Sequence, residues 1–209
     1  MKLRLLTGIA IALLGWAGSA QSTPITYTET GTGSGVLDGT IFNNTLVTIT
    51  FFGDTSNVAP FNNGPSCPSC LVNVPALSAT VNVAGVGTDS FTDTVGIIDE
   101  PIPSPGFGGL PGLGFVDAKP LTNGVALLVT KSNGLLGYDL ISSIGPISGG
   151  AFADTIAVNT KSGTFVWTSS PETSTFTATV SPVPEPGSLV LLGVGLIGAA
   201  ARRWRIRKA

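Results

Sequence analysis

Between Gln21 and Thr179 the chain keeps no sustained helical period; it breaks into short β-prone runs cut by Gly, Asn, Asp and Pro, roughly every 8 to 12 residues. At most a turn or two of helix fits between Pro146 and Val158. With 28 Gly and 15 Pro the chain is too turn-rich for a helical bundle, while 43% hydrophobic residues make it too apolar for disorder. The expected fold is therefore all-β, an antiparallel β-sandwich of Ig-like or jelly-roll-like form over residues 21–180.

Strands are expected at Ile25–Thr30, at Gly35–Phe42 around an Asp38-Gly39 hairpin turn, and at Thr45–Phe52, Ser78–Val86 and Ser90–Ile98. Others follow at Gly114–Ala118, Val125–Thr130, Tyr138–Ser142, Thr164–Ser169 and Ser174–Val180. Pro101, Pro103, Pro105 and Pro111, with five interspersed glycines, predict a long loop over Ile98–Gly114 without ladder hydrogen bonds. The predicted core takes Ile41, Phe42, Val47, Ile49, Phe51, Val81 and Val83 from the first half. From the second it takes Phe91, Phe115, Leu127, Val129, Phe165, Trp167 and Phe176.

Charge is concentrated at the ends. Only Lys119, Lys131 and Lys161 lie between the termini, against eleven acidic residues from Glu29 to Glu172, so the middle carries −8. Such a domain repels phosphate backbones, and no nucleic acid partner is expected. The chain has no His, which excludes His-dependent triads, His-ligated metals and imidazole acid–base chemistry within it.

Both ends read as addresses. Lys2 and Arg4, an apolar stretch from Leu5 to Ala17 and the small residues Gly18-Ser19-Ala20 have the three parts of a secretory signal peptide over residues 1–20, with Gln21 as the new N-terminus. The alternative, an uncleaved anchor, has an apolar stretch short for a bilayer core of about 30 Å. At the other end, residues 181–187 are a Pro-rich linker, residues 188–201 an uncharged helix, and residues 202–209 a basic tail. As a helix, residues 187–201 reach about 22 Å at ~1.5 Å per residue. That suits a thin, transient membrane anchor, with the basic tail cytoplasmic and residues 21–186 outside.

Pro184-Glu185-Pro186, the Gly-rich apolar helix and Arg202-Arg203 stand in an order that resembles the PEP-CTERM sorting signal of exported proteins of Gram-negative bacteria. The resemblance covers roughly the last 27 residues. It implies recognition by an exosortase, a transpeptidase-like membrane enzyme that removes the helix near Pro-Glu-Pro, and transient residence in the inner membrane. It also implies association with exopolysaccharide and a biofilm matrix, and glycosylation in many members. Pro184, Glu185, Pro186, Arg202 and Arg203 would then be handles for processing rather than catalytic groups. The opening from Gly31 to Val58 vaguely resembles other domains that carry this tail, and implies no site.

Within the middle, Cys67-Pro68-Ser69-Cys70 holds the two cysteines, expected to close a disulfide in an oxidising compartment. The alternative, a redox pair, needs a helix N-terminus or a nearby cation, and Pro75 follows closely. Asp89, Asp93, Asp99 and Glu100 are weak calcium candidates in Gly-rich turns, without an Asp-x-Asp-x-Asp-Gly loop; solvated turn residues are the competing reading. Asp99 and Glu100, as a hydrolytic pair, would point to opposite faces of a strand. Trp167 and Tyr138 offer either a sugar-stacking platform or core. Thr173, Ser174, Thr175, Thr177 and Thr179 suit an exposed strand face, and Asn43-Asn44-Thr45 matches an Asn glycosylation acceptor. The expectation is an exported, non-enzymatic surface or matrix protein without a cofactor. The alternatives are a carbohydrate- or calcium-binding module and, more remotely, a polymer hydrolase.

Overall fold

Ile25, Tyr27 and Leu37 point inward from the first strand and alternate with half-exposed threonines, a period-two pattern that commits β1 (Pro24–Leu37) to a sheet with one buried face. The computed structural model describes residues 23–61, 69–73, 78–117 and 125–182. Asp38 and Gly39 turn the chain with φ of 50° and 82°, the left-handed pair that a two-residue hairpin loop requires, and β2 (Thr40–Asp54) returns along β1.

Beyond this hairpin run β3 (Val58–Phe61), β4 (Cys70–Asn73), β5 (Ser78–Val83), β6 (Gly87–Ser90), β7 (Val95–Ser104) and β8 (Leu110–Asp117). The remainder are β9 (Ala126–Lys131), β10 (Ile144–Phe152), β11 (Val158–Asn159), β12 (Thr164–Ser169) and β13 (Thr173–Val180). They form one 13-stranded antiparallel sheet in the order β3-β4-β7-β8-β9-β10-β13-β1-β2-β5-β6, with β12 also on β1 and β11 on β12. The expectation of an all-β antiparallel fold holds, but the two separate sheets of a sandwich give way to one continuous sheet.

That sheet curls over its own inner face. Phe51 on β2 stacks on Phe115 on β8 with ring centroids 6.1 Å apart, although β9, β10, β13 and β1 lie between those strands in the sheet order. Packing is thus sandwich-like without a break in the ladder. The β7–β9 side faces the β1–β2–β5 side across a core that contains Val47, Ile49, Val81, Ile97 and Leu113. β12 and β13 lie end to end along one edge of β1: Phe165–Ser169 pair with Leu37–Ser34, and Ser174–Val180 pair with Gly31–Ile25. Residues 170–172 interrupt that line.

Several expectations are corrected. Ile98–Gly114 is no open loop: β7 and β8 pair from Val95–Asp117 to Glu100–Gly112 and again at Ser104–Leu110. Pro101 and Pro103 fall in the gap, where the missing amide hydrogen costs no ladder bond. Tyr138–Ser142 is a turn, because Asp139 Oδ1 accepts from Ile141 N at 3.0 Å, Ser142 N at 3.1 Å and Ser142 Oγ at 2.7 Å. Ile144–Phe152 is strand where a little helix was allowed. Ile41 is 72% exposed, since Phe42 takes the inward position and alternation turns its neighbour out; Phe91 is only half-buried. The other predicted core residues are buried.

Residues 22–181 form one unit by themselves. The expected signal peptide over 1–20, most of the expected linker over 181–187, the expected helix over 188–201 and the basic residues 202–209 lie outside the described residues. Among the described residues no helix is long and apolar enough to cross a membrane.

Candidate functional site

Inward alternation on β1 places a carboxylate in the core. Glu29 follows Ile25 and Tyr27 on the buried face and is completely buried. Thr130 Oγ1, on β9, donates to Glu29 Oε1 at 2.6 Å and, its one hydrogen so used, accepts from Ser174 Oγ on β13 at 2.7 Å. Burial holds the Glu29 carboxyl well above the usual range, and the bonds from Thr130 and Ser174 only partly oppose that. Its second oxygen has no partner among the described residues.

Asp99 and Glu100 are both buried although they are neighbours on β7, so both faces of that strand are covered at this point. Asp99 faces the core with its cross-strand neighbours Leu71 and Leu113, and neither oxygen has a hydrogen-bond partner among the described residues. Burial, then the charges of Glu100 and Asp139, push its carboxyl up to about 8. Close by, Asn73 Nδ2 donates to Tyr27 Oη and to Asp54 O, both at 3.0 Å, while the Tyr27 hydroxyl donates to Leu140 O at 2.5 Å. This polar seam ties β1 and β4 to the 138–142 turn. Asp99 is thus completely buried beside Leu71 and Leu113, with no face open to solvent.

Asp89 and Asp93 lie elsewhere and do different work. Asp93 Oδ2 accepts from Asn159 N at 2.8 Å, and Asp89 Oδ2 accepts from Ser162 N at 2.8 Å. Thr160 Oγ1 donates to Asp38 Oδ1 at 2.5 Å. Three carboxylates thus pin residues 159–163 to β6, to the β1–β2 turn and to the link between β6 and β7, and the Ser162 amide leads the bonds that hold Asp89 down at about 2. The four calcium candidates are divided between this rim and the interior, and no group of three or more metal-ligating side chains occurs among the described residues.

Trp167 and Tyr138 are core, not a platform. The Trp167 indole donates to Leu127 O at 2.6 Å and sits edge-on to Phe165 at 5.2 Å, and Tyr138 packs edge-on to Phe176. Cys70 is buried, its sulfur 3.4 Å from Glu100 Oε2. Cys67, its expected disulfide partner, lies outside the described residues.

The outward face of β1 and its neighbours carries what the sequence reading undervalued. Thr28 pairs with Thr50 on one side and Thr177 on the other, and Thr50 continues to Thr80 and Ser90. In the next row Thr30 pairs with Thr48 and Thr175, extended by Asn82 and Ser148. Two grooves open on this side. The first, about 500 Å³, is lined by Thr30, Thr32, Leu46, Ser148, Thr173 and Thr175 over Gly31 and Gly149. The second, about 480 Å³, shares Thr32 and Thr173 with it and continues past Ser34, Asn44, Ser169 and Glu172, where β12 gives way to β13. The signal was legible as Thr at every second position from Thr26 to Thr32 and from Thr173 to Thr179. Ser174, grouped with the exposed set from sequence, is buried against Thr130.

The sorting residues Pro184, Glu185, Pro186, Arg202 and Arg203 lie outside the described residues. Their segment is nevertheless the part of the chain with a known counterpart: the family model of the PEP-CTERM protein-sorting motif matches residues 182–208. No curated protein and no solved structure matches the chain.

Proposed function

We propose that this chain, which ends in a PEP-CTERM sorting motif, is an exported protein whose basic C-terminal helix an exosortase removes near Pro184-Glu185-Pro186, leaving the β domain at the cell surface or in the extracellular matrix. The observation that carries this reading is the motif at residues 182–208, which begins two residues after β13 ends at Val180. β13 sits inside the sheet, between β10 and β1. A cut beyond it therefore releases the domain without removing a strand, as a sorting signal requires.

The domain's own role is non-enzymatic: a structural component of the envelope or of an exopolysaccharide-rich biofilm matrix. Supporting it, the interior acids Glu29, Asp99 and Glu100 are sealed from solvent, and Asp89 and Asp93 are spent on backbone amides. The test is replacement of Pro184 and Glu185 by alanine in the native host. The tail should then persist, with the protein retained in the membrane fraction; unchanged processing and release would overturn the reading. A carbohydrate-binding role is favoured over a calcium-binding one by the hydroxyl-lined groove.

A further inference from the structure

The threonine face lacks ionisable side chains along its two hydroxyl rows, and the first groove has none in its lining. Every hydroxyl there is both donor and acceptor, and the Ser148 and Thr175 hydroxyls already bond each other at 2.8 Å. Threonine methyls, the half-exposed Leu46 and the bare backbone of Gly31 and Gly149 add apolar surface between the hydroxyls. A ligand that fits this lining must be uncharged, must present many groups that both donate and accept, and must have C–H faces as well. An anionic polymer finds no cation in the groove and meets the −8 of the exported middle. A metal ion finds no carboxylate until Glu172 at the far end.

Shape narrows the ligand further. From Ser148 on β10 through Thr175 on β13 and Thr30 on β1 to Leu46 on β2 the groove crosses four strands, about 14 Å at ~4.8 Å per strand. Neighbouring strands rotate by roughly 20–25°, so the face turns by about 60–75° across that distance. A rigid crystalline surface touches such a saddle over one or two strands only. A single flexible chain follows it.

We propose that this groove, from Ser148 across Thr175 and Thr30 to Leu46 and on past Thr32 to Asn44, binds a single strand of neutral polysaccharide. The inference deepens the reading of an extracellular domain and rests on it for the ligand's presence, but the groove's chemistry stands on its own geometry. Affinity comes from several individually weak hydroxyl pairings, so a dissociation constant on the order of 0.1–1 mM is expected for a short oligosaccharide.

The test uses the full chain purified in a zwitterionic detergent. Amide shifts are followed while soluble neutral glycans (α- and β-glucans, galactans and mannans) and anionic polyuronates are added. At least one neutral glycan should shift the amides of Thr30, Thr32 and Thr175, and the polyuronates should not. Thr30→Val with Thr175→Val keeps the β-branched shape and removes two hydroxyls; it should weaken binding by about tenfold or more. Thr80→Val, outside the groove on the same face, should leave binding unchanged. The proposal is overturned if no neutral glycan binds, if only polyuronates bind, if the shifts map elsewhere, or if the double variant binds as tightly as the parent at equal thermal stability. Because the titration is indifferent to where the host sends the protein, glycan binding by a chain that keeps its tail in the host would sink the sorting reading and spare the groove. Correct sorting without binding would do the reverse.

Discussion

Thr130 Oγ1 donates to Glu29 Oε1 at 2.6 Å across the core, joining β9 to β1, two strands that are not neighbours in the sheet. Thr130→Val keeps the volume and removes the donor. Leaving a buried carboxyl short of its partner costs about 1–3 kcal/mol, so the urea midpoint should fall at unchanged m. Glu29→Gln should cost less, since an amide oxygen still accepts from Thr130.

Asp99 makes stability fall as pH rises. Its carboxyl is held at about 8 in the fold, first by burial and then by Glu100 and Asp139, against about 3.9 in an unfolded chain. Between those values the folded protein binds one more proton than the unfolded one, so each pH unit removes about 1.4 kcal/mol, with the effect complete above about pH 8. Glu29, also raised, acts with the same sign. Urea midpoints should drop from pH 5 to pH 7.5, and Asp99→Asn should flatten the slope. A midpoint that climbs over that window would contradict the buried-acid account.

Asp89 works in the opposite direction. Held at about 2 chiefly by the Ser162 amide, it supports the fold above the unfolded value and loses that support as pH falls towards 2. The protection factor of the Ser162 amide, its exchange rate set against the intrinsic rate at the same pH, should fall on acidification towards pH 2 in the parent, while in Asp89→Asn it should already be low at neutral pH.

Gly114 marks where β8 presses on β9. A Cβ there would sit 2.3 Å from Leu128 O and 2.6 Å from the Val129 Cα, neither of which is a flexible side-chain end. Gly114→Ala should therefore destabilise by about 1–3 kcal/mol, read by thermal or urea denaturation. Gly39, with nothing near its Cβ position, tests backbone strain instead: at φ 82° Gly39→Ala should be strained without a clash.

Local chemistry was the legible part of this fold. The Asp38-Gly39 turn, the alternation of β1 and β2 and the C-terminal sorting motif can all be read because each rests on residues adjacent in the chain. Pro101 and Pro103 misled because whether a proline breaks a strand depends on which partner bond is absent, and the gap before Ser104 is set by pairing with β8. The burial of Glu29, Asp99 and Glu100 was hidden for a related reason: curling of the sheet brings β1, β4, β7 and β9 together across long stretches of sequence. The groove was half-visible. Alternating threonines announce an outward face, but only the register of β10, β13, β1 and β2 aligns them into one channel.

The central claim, export followed by removal of the C-terminal helix, is tested most directly by the intact mass of the protein recovered from its native host. A species that begins near Gln21 and ends between Pro184 and Pro186, found outside the membrane fraction, is the predicted result. A membrane-bound species that still carries Arg202 to Ala209 would contradict it.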